Sequence, residues 1–151
     1  MKIEFKNLSN NPDPIYAHEG DSGFDLRCWI ENSNESIILK PLERQLIHTG
    51  LYFKLPYNVE MQVRPRSGMA IKYGLSVVNS PGSIDSNYCG EICIIAINLS
   101  NENIIINNGD RIAQGIISPV YNSYFIELLN NNDVVLESKR GSNGFGSTGN
   151  K

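Results

Sequence analysis

The stretch Phe24-Asp25-Leu26-Arg27-Cys28-Trp29-Ile30 puts Phe24, Leu26, Cys28 and Ile30 on one side of an extended chain and Asp25, Arg27 and Trp29 on the other. A period of two is the pleat of a half-buried β-strand, so the apolar set should face a core. Working outward, similar short runs recur at 36–39, 46–55, 60–64, 75–78, 91–99, 103–106, 111–118 and 124–129, several of them dominated by Ile and Val. β-Branched residues favour the extended backbone, and 13 Gly and 7 Pro supply the turns between the runs. So many short strands predict an all-β domain, built as a sandwich, jelly roll or barrel.

One segment reads as helical, 67–73, with Ser67 placed to cap its start, Met69, Ala70 and Lys72 as good helix formers, and Gly74 at its end. Residues 1–137 are expected to form the β-domain. From 138 to 151 the aliphatic residues disappear, and Ser, Gly, Asn and basic residues surround the single aromatic Phe145. Such a composition cannot order itself by burial, so a flexible C-terminal arm is expected.

The 151 residues carry 13 Lys+Arg against 16 Asp+Glu, a net charge of −3. That balance speaks against a basic module binding nucleic acid directly, and any anionic ligand must be held by a local cluster. Apolar runs such as Ile92 to Ile97 fall far short of the roughly 20 residues that span a bilayer, and no signal peptide opens the chain. No membrane association is expected, and the protein should be cytoplasmic, or nuclear in a eukaryotic or viral setting. Cys28, Cys89 and Cys93 make an odd set without a C-x-x-C pair, which fits free thiols in a reducing compartment. His18 and His48 lie far from these cysteines along the chain, so no zinc-ligand spacing is present and any metal should be oxygen-bound.

Four further segments carry chemistry. Arg64-Pro65-Arg66-Ser67-Gly68-Met69-Ala70 places two guanidiniums, a hydroxyl and a glycine at the start of the short helix, a combination suited to phosphate. The stretch from Asn79 to Glu91 packs turn residues between two strand-like runs and reads as a hairpin with a functional loop. Its main chain and the Asn79 amide can match the acceptor–donor–acceptor edge of a pyrimidine, and Asp85 can orient or deprotonate a water. Gly109-Asp110-Arg111-Ile112-Ala113-Gln114 is a tight turn followed by a strand bearing Gln114. The tail from Arg140 to Gly149 combines an arginine, hydroxyls, glycines and one stacking ring. Each segment also has a plain structural reading: a surface cap, an Asx turn, an amphipathic strand and a linker.

In this order, Ser22-Gly23-Phe24-Asp25-Leu26, residues 64–70, 82–91, 109–114 and 140–149 resemble the five motifs of trimeric dUTP diphosphatases, the dUTPase family. The sequence departs from the family pattern at Asn87, Cys89 and Ser142-Asn143, none of them a catalytic position. The resemblance implies a jelly-roll β-fold assembled as a homotrimer, with active sites at subunit interfaces and each site closed by a neighbour's arm. It implies Mg²⁺-dependent hydrolysis of dUTP to dUMP and diphosphate, which limits uracil in DNA and supplies dUMP for dTMP synthesis.

By the same resemblance, Asp85 aims the attacking water, while Asn79 and the main chain around Ser83, Ile84 and Cys93 read uracil. Tyr88 packs on the deoxyribose and excludes a 2′-hydroxyl. Arg66, Ser67, Gly68 and Gln114 hold the phosphates from the body, and Arg140, Gly146, Ser147 and Thr148 from the arm, with Phe145 over the base. Asp25 touches Mg²⁺ only through water. Two other outcomes share the fold: a dCTP deaminase-like enzyme, and a non-catalytic nucleotide-binding regulator.

Overall fold

A computed structural model of the chain describes residues 1–121 and 126–130. Among them eleven strands and one helix follow in the order β1 (Glu4–Asn7), β2 (Phe24–Arg27), β3 (Ser36–Leu39), β4 (Arg44–His48), β5 (Leu51–Lys54), β6 (Val59–Pro65), α1 (Ser67–Tyr73), β7 (Leu75–Val77), β8 (Gly82–Ile84), β9 (Cys93–Asn98), β10 (Ile104–Asn107) and β11 (Arg111–Pro119). The all-β class with one short helix is as expected. The chain divides into two compact units, Met1–Tyr121 and Asn122–Lys151, and the expected boundary at 137/138 lies outside the described residues.

The opening alternation is realised in β2 and just beyond it, with Phe24, Leu26 and Cys28 buried and Asp25 and Arg27 half-buried. β2 lies at the edge of a four-stranded sheet of order β2-β11-β6-β8, and a second sheet has the order β4-β9-β7. β1 pairs with β5 and β3 with β10, and every pairing is antiparallel. Leu26, Leu39, Ile47, Met61, Leu75, Ile92, Ile94 and Ile106 form the fully buried centre. The Phe24 and Phe53 rings stack 5.7 Å apart beside them. Gly115 makes room for this: a Cβ there would lie 2.9 Å from the Phe24 ring.

Several expectations need correction. The run 46–55 is two strands, because Gly50 takes φ +69 and the buried Thr49 hydroxyl donates to the Ile92 carbonyl at 2.6 Å. The break sends β4 to β9 and β5 to β1. Of the run 124–129, residues 124 and 125 lie outside the described residues, and 126–129 are exposed and form no strand. Exposed side chains do not reward a pleated apolar face as burial against a core does. Ser67 does not cap the helix. Arg66 occupies the cap position with extended backbone and no side-chain cap bond, since the chain leaves β6 still extended at Pro65.

The loop between β7 and β9 ties the two larger sheets together. β7 and β9 pair antiparallel, Leu75 opposite Asn98 and Val77 opposite Ala96, so the expected hairpin exists. Its loop then contributes β8 to the other sheet, Gly82 opposite Val63 and Ile84 opposite Met61. The sequence hides this strand, because Gly-Ser reads as a turn.

Candidate active site

Strand pairing gathers the first group of site residues. Gln114 on β11 faces Asp25 on β2 and, across its other edge, Arg64 on β6. Opposed side chains in such pairs lie about 5 Å apart, so Asp25 and Gln114 meet at one mouth of the sheet. β6 then ends and delivers Arg66, Ser67 and Gly68 to the same place. The result is a cavity of about 400 Å³ whose walls include Asp25, Arg66, Ser67, Gly68, Arg111 and Gln114.

Its electrostatics are set by two guanidiniums around one carboxylate. Arg66 Nε lies 2.7 Å from Asp25 Oδ1, and Arg111 Nη1 lies 3.3 Å from Asp25 Oδ2. Arg66 Nη1 also donates to the Arg111 carbonyl at 3.2 Å. Asp25 thus holds two like charges together and leaves the cluster with an excess positive charge, favourable to a polyphosphate. Gln114 Nε2 donates to the Pro65 carbonyl at 2.9 Å, which fixes the amide on the cavity wall. A Cβ at Gly68 would meet no protein atom within 4 Å, so that glycine borders open space. Arg64 turns away and bonds Gln62 at 2.9 Å. Sequence reasoning passed over Arg111, although it stands within the Gly109–Gln114 segment.

The second group lies on the β7–β9 loop. Ser83 and Asp85 are exposed, Ile84 is half-buried, and the Asn79 amide lies against Gly82, where a Cβ would come within 3.0 Å of Nδ2. The Asp85 carbonyl accepts from the Tyr88 N–H at 3.1 Å, closing a tight turn that leaves the carboxylate outward. Tyr88 Oη donates to the Glu91 carbonyl at 3.0 Å, and its ring lies across Gly90. Glu91 anchors the base of this loop: Oε1 accepts from the N–H groups of Thr49 at 3.1 Å and Gly50 at 2.8 Å, and Oε2 lies 2.8 Å from His48 Nδ1. Burial pushes the Glu91 carboxyl upward, but the bonds from His48, Gly50 and Thr49 outweigh it and hold the group below its ordinary range. Cys93 sits opposite His48 in the β4–β9 pairing, and burial followed by the Glu91 charge pushes its thiol up to about 11. The expectation that the histidines stand apart from the cysteines fails here, since the fold closes a gap of 45 positions.

The two groups do not meet within the chain. None of Asn79, Ser83, Ile84, Asp85, Tyr88 or Cys93 lines the cavity. Ile84 stands opposite Met61, five positions before Arg66, roughly 16 Å along the strand at about 3.3 Å per residue. Arg140, Phe145, Gly146, Ser147 and Thr148 lie outside the described residues.

The family model for dUTPase matches residues 9–149. The chain belongs to the dUTPase family. It is 49% identical over 149 residues to a deoxyuridine 5′-triphosphate nucleotidohydrolase of Finegoldia magna, covering 99% of each chain. It is 46% identical to the protein so named from Cytophaga hutchinsonii, covering 97% of this chain and 91% of that one. Among solved structures it resembles a mutant of the Staphylococcus bacteriophage 80alpha dUTPase with dUpNHpp, at TM-score 0.80 and 26% identity over 98% of both chains. A mutant dUTPase from phage phi11 of S. aureus, described with a structural Mg(II) ion, shares the fold at TM-score 0.76 and 22% identity over 89% of this chain and 99% of that one. The strand-rich architecture with its single short helix is therefore the jelly-roll-like dUTPase fold.

Proposed function

We infer that the protein hydrolyses dUTP to dUMP and diphosphate, at sites formed where one chain's cavity meets another chain's β7–β9 loop. The observation carrying this reading is the separation of the two residue groups. The cavity has the charge to hold phosphates, the loop has the polar edges to read a base, and one nucleotide has to touch both. A neighbouring copy supplies the missing half, and the homotrimer of the family arranges this around one axis.

In this reading Arg66, Ser67, Gly68, Gln114 and Arg111 hold the triphosphate. Asn79 and the main chain at Ser83, Ile84 and Cys93 read uracil, and Tyr88, pinned through Glu91, blocks a 2′-hydroxyl. Asp85 takes a proton from the water that attacks the α-phosphorus. Arg140, Gly146, Ser147, Thr148 and Phe145 act from the arm, an assignment resting on the family resemblance alone.

Mg²⁺ fits this site on particular terms. Both Asp25 oxygens already face guanidiniums and Asp21 Oδ2 accepts from the His18 N–H at 2.8 Å, so the cavity offers no bare carboxylate cage, and Asp25 would reach the ion through water. When bound, the ion would supply charge neutralisation for an in-line displacement. The chain's own residues position and orient the reactants.

The test is turnover of dUTP, UTP and dCTP with Mg²⁺ in ¹⁸O-labelled water. Diphosphate release from dUTP with the label in dUMP, and poor turnover of UTP, are expected. Ammonia from dCTP, or label in the diphosphate, would overturn the assignment.

A further inference from the structure

We propose that His48, Glu91 and Cys93 form a binding site for a thiophilic divalent cation of the zinc class, separate from the Mg²⁺ and phosphate cavity. Nδ1, a carboxylate oxygen and Sγ converge within 4.8 Å of one another. A tetrahedral zinc ion with ordinary bond lengths separates its nitrogen and sulfur ligands by about 3.6 Å and its nitrogen and oxygen ligands by about 3.3 Å. His48 Nδ1 and Cys93 Sγ are 3.7 Å apart, already at that spacing. His48 Nδ1 and Glu91 Oε2 are 2.8 Å apart and need to open by a few tenths of an ångström, replacing one hydrogen bond by two metal bonds.

The frame is rigid where a metal site needs it. His48 and Cys93 are direct cross-strand partners in the β4–β9 pairing, so both project from the same face. Glu91 Oε1 is held by two main-chain N–H donors, which orients the carboxylate and leaves Oε2 to serve the ion. His48 is exposed and Cys93 half-buried, leaving an approach and a fourth position for water. Binding replaces the S–H bond of Cys93 by a sulfur–metal bond and releases that proton to solvent. The proton that His48 Nδ1 shares with Glu91 Oε2 leaves to solvent or to Nε2, so the metal-bound ring carries one proton, on Nε2. The raised thiol value makes this displacement harder at low pH, and the ion's affinity for thiolate drives it.

The Cys93 main chain also belongs to the proposed uracil edge, so the test reads metal–thiolate absorption without nucleotide and its outcome is distinguishable from that of the hydrolysis assay. The full-length protein, reduced and free of nucleotide in excess Mg²⁺, is titrated with Co²⁺. A thiolate-to-cobalt charge-transfer band saturating at one ion per chain is expected, and Zn²⁺ should bleach it. Cys89→Ser should leave the band intact, and Cys93→Ser should abolish it while circular dichroism and thermal midpoint stay unchanged. Glu91→Gln and His48→Ala should weaken the affinity by at least about tenfold. Absence of the band in the wild type, or its survival in Cys93→Ser, would overturn the proposal.

Discussion

Two variants that are each inactive should restore one another if the site is shared between chains. Asp85→Asn removes the basic oxygen from an exposed side chain whose turn is closed by main-chain atoms, so the fold should be untouched. Loss of a general base lowers turnover by about 10²–10⁴-fold. Arg66→Gln removes the guanidinium 2.7 Å from Asp25, while Arg111 at 3.3 Å keeps that carboxylate partnered. A lost charge-assisted contact to phosphate is worth about 1.5–3 kcal/mol, or about 10–150-fold in kcat/KM.

Let the two variants exchange subunits at equal concentration. A site drawing its loop from one chain and its cavity from another combines an intact Asp85 with an intact Arg66 in about one case in four. Activity at low dUTP should then rise from below about a tenth of wild type to about a quarter. Diphosphate release after exchange in mild urea reads the outcome, with native mass spectrometry proving that mixed oligomers formed. Activity that stays at the mean of the two parents despite proven exchange would refute the shared site, because a site built within one chain always carries one lesion.

Gly68→Ala should leave the thermal midpoint unchanged or raise it, since a Cβ meets no protein atom and Ala favours a helix by up to about 1 kcal/mol. The KM for dUTP should nevertheless rise, and an unchanged KM would show that phosphate does not approach this backbone. Asn98→Ala removes bonds to the Leu39 and Glu102 carbonyls and from the Ser100 N–H and hydroxyl. At about 0.5–1.5 kcal/mol each, these four predict a loss of about 2–6 kcal/mol in urea unfolding. Because Glu91 titrates below its ordinary range when folded, its contribution is complete above the unfolded value of about 4.3 and fades as pH falls through the folded value. The stability gap between wild type and Glu91→Gln should therefore narrow on moving from about pH 6 to about pH 3. A thiol reagent should label exposed Cys89 first and Cys93 slowly, and reach Cys28, buried with its thiol pushed up to about 12, only after unfolding.

The sequence carried β2 plainly, because Phe24, Leu26 and Cys28 are separated by residues that pay no penalty for exposure. It carried the span of α1 but not its cap, since Pro65 before it and Gly74 at φ +71 after it bound the run of helix formers. It did not carry β1, four residues with no buried side chain to set a period, nor β8, where a glycine and a serine pair with β6 through main-chain bonds alone. Strand signals arise from side chains meeting a core, so strands held by backbone pairing at an edge leave little trace. The phosphate cavity was legible for a related reason. Asp25, Arg66 and Gln114 each sit in a segment of unusual composition, whereas His48 sits in an ordinary one and meets Glu91, at the end of the 79–91 segment, only when β4 and β9 pair.

The arrangement around Asp25 also explains how an acidic chain prepares a site for a highly anionic ligand. Two guanidiniums brought together in a partly buried cavity repel each other, and without a counter-charge they would swing into solvent. Asp25, itself half-buried, removes that repulsion and fixes both side chains before any nucleotide arrives. The conformational entropy of two arginines is thus spent on folding rather than on binding. One carboxylate against two cations leaves this cluster positive within a chain of net charge −3. Replacing Asp25 by Asn would keep the hydrogen-bond acceptor but release the guanidiniums to compete for solvent. The site would then gain nominal charge and still lose affinity for the triphosphate, which separates preorganisation from net charge as the source of binding.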